Sequence, residues 1–206
     1  MRLFHPLGFM LASPAESAEE ALSYFSNAQV EDKYDGIRAQ AHCSAGEVKI
    51  FSRTRDEITE SFPELADALS ALPHDVILDG EIVAWNYPAN APPEQGRAQP
   101  FSTLQQRLGR KKVSDELIRR ASVAYFAFDV LYAAGDLVID RPLRERAALL
   151  DQLLAAPRNL PRSRGRASQG ELLFEPDHQL AASSNREGLF CRTTGRVVCR
   201  GPSPGQ

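Results

Sequence analysis

A lysine, an arginine and a turn-forming pair stand within six residues in Lys33-Tyr34-Asp35-Gly36-Ile37-Arg38. An amine nucleophile needs a free lone pair, whereas an ordinary lysine, with a pKa of about 10.4, is protonated at pH 7. A nearby guanidinium or metal ion disfavours the ammonium form and releases that lone pair. Lys33 is therefore a candidate nucleophile, with Arg38 as a charge held near it. Further on, Glu81 stands in Leu78-Asp79-Gly80-Glu81-Ile82-Val83, beside apolar residues that read as a strand. A carboxylate in that setting is costly unless paired or metal-bound, which marks it as a second candidate. Phe128 lies in Phe126-Ala127-Phe128-Asp129-Val130-Leu131-Tyr132, an alternating run in which an aromatic ring would be core in any protein.

The elements that must position these groups are legible as a pattern. Asp35-Gly36 between two β-prone runs predicts a hairpin, since glycine takes φ > 0 at little cost. Strands are expected over 28–33, 37–42, 47–53, 76–85 and 123–132, with Ala45-Gly46 and Ala134-Gly135-Asp136 as turns. Ser13-Pro14-Ala15-Glu16 reads as a capping box for a helix with Ala18, Ala21, Leu22 and Phe25 on one face. Ser61-Phe62-Pro63-Glu64 reads the same way for a helix through Leu72. A short helix over 102–108 stops at Gly109, and an amphipathic helix covers 142–154. The segments 86–100 and 157–170 read as loops. Short turns between strands, with helices inserted, indicate an α+β fold: antiparallel sheets with flanking helices. There is no glycine-rich phosphate loop, so a bound nucleotide must be held by side chains.

With 206 residues, 43% hydrophobic and 25% charged, the chain has the size and composition of a globular domain with a real core. No apolar run approaches the roughly 20 residues that cross a bilayer, and the N-terminus breaks too early for a secretory signal. Cys43, Cys191 and Cys199 lack paired metal spacing and fit reduced thiols in a cytoplasm. The net charge of −3 argues against duplex DNA binding by the whole surface. Residues 155–206 hold eight Arg against four acidic residues, a basic segment that could touch phosphates but reads more readily as a solvated or disordered tail.

Lys33-Tyr34-Asp35-Gly36-Ile37-Arg38, Ser52-Arg53, Leu78 to Val83, Phe126 to Tyr132 and Arg186-Glu187-Gly188-Leu189 follow one another in order. This series resembles the covalent nucleotidyltransferase superfamily and, within it, the ATP-dependent DNA ligases. Phe9-Met10-Leu11-Ala12-Ser13-Pro14 looks like the segment that precedes the nucleophile in these ligases. Pro100 to Lys111, with Gln105-Gln106-Arg107 at its centre, is similar to a stretch typical of bacterial members. The resemblance implies an ATP-grasp-like nucleotidyltransferase domain in which Lys33 attacks ATP and becomes AMP-lysine. It implies that Arg38 and Arg53 contact ribose and phosphate, that Glu81 and Glu187 contact ribose or hold Mg²⁺, and that Phe128 stacks on adenine. Glu31 falls where the family recognises the adenine edge. The implied partner is nicked duplex DNA, held weakly by this chain, and no membrane; the sequence sets no oligomeric state.

After Leu189 the agreement with the family ends. Family members continue with a lysine and a lysine-rich strand, whereas Phe190-Cys191-Arg192-Thr193-Thr194-Gly195-Arg196 follows here. The expected organisation is a partial adenylation domain over 1–189 and a divergent, irregular tail over 190–206. A truncated or frameshifted gene product, or an excised part, is the expected origin of this end. Two other readings share the lysine motif: an RNA ligase or mRNA-capping nucleotidyltransferase, and a nucleotide-binding relic without turnover.

Overall fold

The computed structural model describes residues 2–24, 30–72, 75–86, 96–110, 112–155, 189–191 and 196–199. Its centre is an antiparallel sheet of seven strands. These are β2 (Ile37–Ser44), β3 (Glu47–Ser52), β4 (Val76–Asn86), β5 (Arg97–Ala98), β6 (Val123–Ala133), β7 (Asp136–Leu137) and β9 (Arg196–Cys199). They run in the order β3-β2-β4-β6-β7, with β5 on β4 and β9 on β6. A separate ribbon pairs β1 (Val30–Asp32) with β8 (Leu189–Cys191). The α+β, all-antiparallel architecture is the one the alternating strands and short turns predict.

One face of the sheet carries Ala39, Ala41, Leu78, Ile82, Ala84, Tyr125, Ala127 and Val130 in a single buried core. The helices covering it are α2 (Pro63–Leu69), α3 (Phe101–Gln105) and α5 (Leu143–Ala155), with α4 (Asp115–Arg120) beside α3. Gly80 is required by this packing. A Cβ there would sit 2.5 Å from Tyr125 Cζ and 2.6 Å from the Phe126 carbonyl oxygen. The Tyr125 ring crosses that gap, and its hydroxyl donates to the Ala39 carbonyl at 3.0 Å.

Several local expectations are corrected. Asp35-Gly36 is not a hairpin turn: β1 pairs with β8, while β2 pairs with β3 and β4. Gly36 has no positive φ, and a Cβ on it would lie 2.2 Å from the Ile82 carbonyl oxygen. Close approach to β4, not turn conformation, demands glycine at this position. Ala45-Gly46 (φ 50° and 83°) and Ala134-Gly135 (φ 50° and 97°) are the two-residue hairpin turns, both residues of each being left-handed. The first helix, α1 (Ala18–Ser23), is capped by Ser17, whose hydroxyl accepts from the Glu20 N–H, one turn later than the Ser13 box predicts. At α2 no side chain caps the helix: Ser61 lies in a 3₁₀ turn (Thr59–Ser61), and Glu64 faces inward. The expected loop 86–100 contributes β5 at its end, while 87–95, like the loop 157–170, lies outside the described residues. Within the stretch 190–206, read as irregular, Phe190 and Cys191 belong to β8 and Arg196–Cys199 form β9, which pairs with β6, and the remaining residues lie outside the described ones.

The other face of the sheet is partly covered by the N-terminal segment. The Phe4 N–H donates to His42 Nδ1 at 3.0 Å, and His42 is fully buried between this segment and Phe51. Burial, aided by His5, pushes His42 down to about 4. The folded state therefore binds this proton less readily than the unfolded chain, whose histidine titrates near 6.5. The contribution is complete above about pH 6.5 and is lost as pH falls toward 4, up to about 3 kcal/mol at about 1.4 kcal/mol per unit. Denaturant unfolding at pH 7 and pH 4.5 should show a steeper loss in the natural protein than in His42→Asn. Equal pH dependence would remove His42 from this role.

Candidate functional site

On the face opposite the main core, β-register sets side chains beside one another. Arg38 of β2 pairs directly with Glu81 of β4, and Glu81 with Phe126 of β6. Residues directly opposite share a face, so Arg38, Glu81 and Phe126 form a row across three strands. Tyr34 closes one end of the row, its ring stacked on Phe126 at 4.5 Å and edge-on to Trp85 at 6.3 Å. These rings, with Val83 and Ala124, make a second small core.

Phe128 owes its placement to a β-bulge. Gly80 pairs with Ala127 and Asp79 with Asp129, which leaves Phe128 as an extra residue on β6. A bulged residue is re-aimed relative to the regular alternation. Phe128 is half-buried, with its ring 5.5 Å from Arg38 Cζ. Asp129, beside it, ties the bulge to α5: Arg146 donates from Nε and Nη2 to its two oxygens at 2.8 and 2.9 Å. Sequence reading gave Asp129 no role, and Arg146, seventeen residues away, carries no local signal of the pair.

Arg38 is held from several sides. Its Nε and Nη2 donate to Asp79 at 3.3 and 2.8 Å, and Nη1 donates to the Met10 carbonyl at 2.7 Å. The Phe9 ring lies 5.2 Å from its Cζ. A guanidinium has five N–H donors, so one remains on each Nη for an incoming oxygen. Arg53 is exposed, one residue past Ser52, which pairs with Ala39 next to Arg38.

Glu81 is the perturbed group of the row. Burial pushes its carboxyl up to about 7, against the opposing pull of Arg38, the Gly36 N–H and Lys33, while Asp79 adds to the rise. Lys33 is exposed in the link between β1 and β2, close enough for its charge to be felt at Glu81. The lysine thus stands in the link between strands of two different sheets rather than at a hairpin strand end. Glu31 lies in β1 with its backbone opposite Phe190, and Glu187 lies outside the described residues. Among the described residues no three His, Cys, Asp or Glu side chains cluster as a metal site. No helix among them is long and apolar enough to cross a membrane.

Comparison with known proteins gives this arrangement its relatives. Residues 9–196 match the family model described as the ATP dependent DNA ligase domain. The "Probable DNA ligase" of Koribacter versatilis is 62% identical over 160 residues, which is 77% of this chain and 26% of that protein. The "DNA ligase" of Methanococcus vannielii is 42% identical over 154 residues, 74% of this chain and 26% of that protein. Among solved structures, the ligase domain from M. tuberculosis LigD is 30% identical, covering 61% of this chain and 36% of that one, with a TM-score of 0.43. The chain spans about a quarter of the length of these two curated relatives. A match running from Phe9, which packs on Arg38, through every strand of the site face makes this chain a member of the ATP dependent DNA ligase domain family.

Proposed function

We propose that this domain forms lysine-AMP from ATP, the step that precedes sealing of a nick in duplex DNA. In this reading the Lys33 amine enters as the free base, and its Nζ attacks the α-phosphorus. A P–N bond forms as the bond to pyrophosphate breaks, pyrophosphate leaves with the electron pair, and the surplus N–H proton passes to solvent. Phosphoryl-type transfer depends mainly on positioning and on positive charge around the phosphate oxygens. Arg38, with a free N–H on each Nη, and Arg53 would meet ribose and phosphate oxygens. Phe128 would offer its ring to adenine and Glu31 a carboxylate to the base edge. Glu81 would accept from ribose hydroxyls or, with Glu187, ligate Mg²⁺.

A magnesium ion keeps several waters and takes one or two carboxylates plus substrate phosphates, so a single half-buried Glu81 beside the site suits it. When bound, the ion would neutralise charge on the pyrophosphate leaving group. In this reading the step serves DNA repair, recombination or replication in the cytoplasm. On this reading 1–189 form part of an adenylation domain. The observation that carries the proposal is the family match over 9–196 together with the row of Arg38, Glu81 and Phe126 beside Lys33. Incubation with α-labelled ATP and Mg²⁺ should leave label covalently on the protein, stable to denaturation. Absence of label at any ATP concentration would overturn it.

The base contact has its own test. Phe128→Ala should weaken ATP binding by about 1–3 kcal/mol, the measured range for base–aromatic stacking. Calorimetric titration of the folded variant reads this directly. Unchanged affinity with lowered thermal stability would make Phe128 a packing residue instead.

A further inference from the structure

Three side chains spaced two residues apart on β2 grip the segment that crosses them. His42 Nδ1 accepts from the Phe4 N–H at 3.0 Å. Gln40 makes a two-point clamp on Leu7, with Oε1 accepting its N–H at 3.0 Å and Nε2 donating to its carbonyl at 3.3 Å. Arg38 Nη1 donates to the Met10 carbonyl at 2.7 Å. Gln40 and His42 are buried, 1% and 0% exposed. Their side chains make no other hydrogen bond among the described residues. Burying an amide and an imidazole costs free energy unless they are hydrogen-bonded, and apolar residues would serve a sheet face more simply. Their chemistry is addressed to the backbone of this one segment.

The segment in turn acts on Arg38. It delivers the Met10 carbonyl to one Nη1 hydrogen and the Phe9 ring to one side of the guanidinium. Asp79 alone would fix one edge of that plane; the carbonyl fixes a second. The two N–H bonds left over then point in set directions. We propose that Gln40 and His42 are positioning residues for the nucleotide site, holding residues 4–10 in place so that Arg38 is pre-aligned. The proposal rests on the reading of the site given above and adds the device that orients its guanidinium.

The test uses the whole chain. Gln40→Met keeps length and removes both bonds of the clamp, and Leu7→Pro removes the N–H bond to Oε1 from the segment side without touching the sheet. His42→Phe removes the Nδ1 acceptor, whereas His42→Asn retains an acceptor near that position. Misplacement of about 1 Å can cost roughly 100-fold, so KM for ATP in adduct formation should rise about 10- to 100-fold in the first three. His42→Asn should stay within a few-fold of the natural protein. In parallel, exchange of the Arg38 Nε–H with water, followed by NMR, should quicken in those three variants and not in His42→Asn. Folded Gln40→Met and Leu7→Pro proteins with unchanged KM and unchanged exchange would overturn the proposal, even if their melting temperatures fall. If the natural chain forms no lysine adduct, the reading of function fails, and the exchange measurement alone decides whether Gln40 and His42 orient Arg38.

Discussion

Lys33→Ala and Lys33→Arg should each abolish covalent labelling by α-labelled ATP. Alanine removes the nucleophile. Arginine keeps the positive charge but stays protonated at any working pH and so has no lone pair to offer. The expected loss is at least about 10³-fold, since removing a catalytic nucleophile acts on that scale or above. The site's electrostatics give a second readout. The charge of Lys33 opposes the rise that burial imposes on Glu81, as do Arg38 and the Gly36 N–H. Lys33→Ala should therefore raise the Glu81 pKa further, whereas Lys33→Arg should leave it nearly unchanged. Carboxyl chemical shifts followed through a pH titration would show the difference. An adduct surviving either substitution would remove Lys33 from the chemistry, and mass spectrometry of the labelled peptide would find its replacement.

The sequence named the candidate residues more readily than the contacts that hold them. Arg38, Glu81 and Phe128 were recognisable as residues of a motif series, and strand alternation put Arg38 and Glu81 on strands that do pair. The reasons behind two glycines were not legible. Gly36 looks like a turn residue beside Asp35, yet it is there because β4 passes too close for a Cβ. Gly80 gives no hint that a tyrosine 45 positions later lies across it. Local signals were read in the wrong register where two fit equally: Ser13-x-x-Glu16 and Ser17-x-x-Glu20 are both capping boxes, and the second forms the helix. Helix α4, which the expected pattern lacks, does carry local signals: Ser114 caps it, Asp115 and Glu116 open it, and Arg119 and Arg120 close it. Long-range pairs, such as Gln40 with Leu7 or Arg146 with Asp129, depend on the fold and have no periodicity to betray them.

Arg107 is the clearest case, and it yields the largest expected change in stability. In sequence it belongs to Gln105-Gln106-Arg107-Leu108-Gly109, at the end of the expected short helix, with nothing local to mark a buried charge. In the structure it is 0% exposed, with both Nη atoms on the two carboxylate oxygens of Glu64 in α2. It also donates to the Ala121 carbonyl at 3.1 Å and lies over the Phe62 ring at 4.9 Å, while its Nε has no partner among the described residues. This one side chain staples α2, α3 and the end of α4 behind β4. Removing one partner of a buried ion pair leaves an uncompensated charge and typically costs about 3–5 kcal/mol. Arg107→Ala should therefore lower the unfolding free energy by about that much, or the melting temperature by roughly 10 °C for a domain of this size. Replacing both partners, as in Glu64→Leu with Arg107→Met, should recover most of the loss, because no charge is then stranded. Urea unfolding of Glu64→Leu, Arg107→Met and the double forms a cycle whose coupling should exceed about 2 kcal/mol. Additive effects would mean that the cost lies in packing around Phe62 rather than in the pair. ATP affinity of the folded fraction should stay the same throughout, since the staple sits on the core side of β4 and Glu81 belongs to the other face.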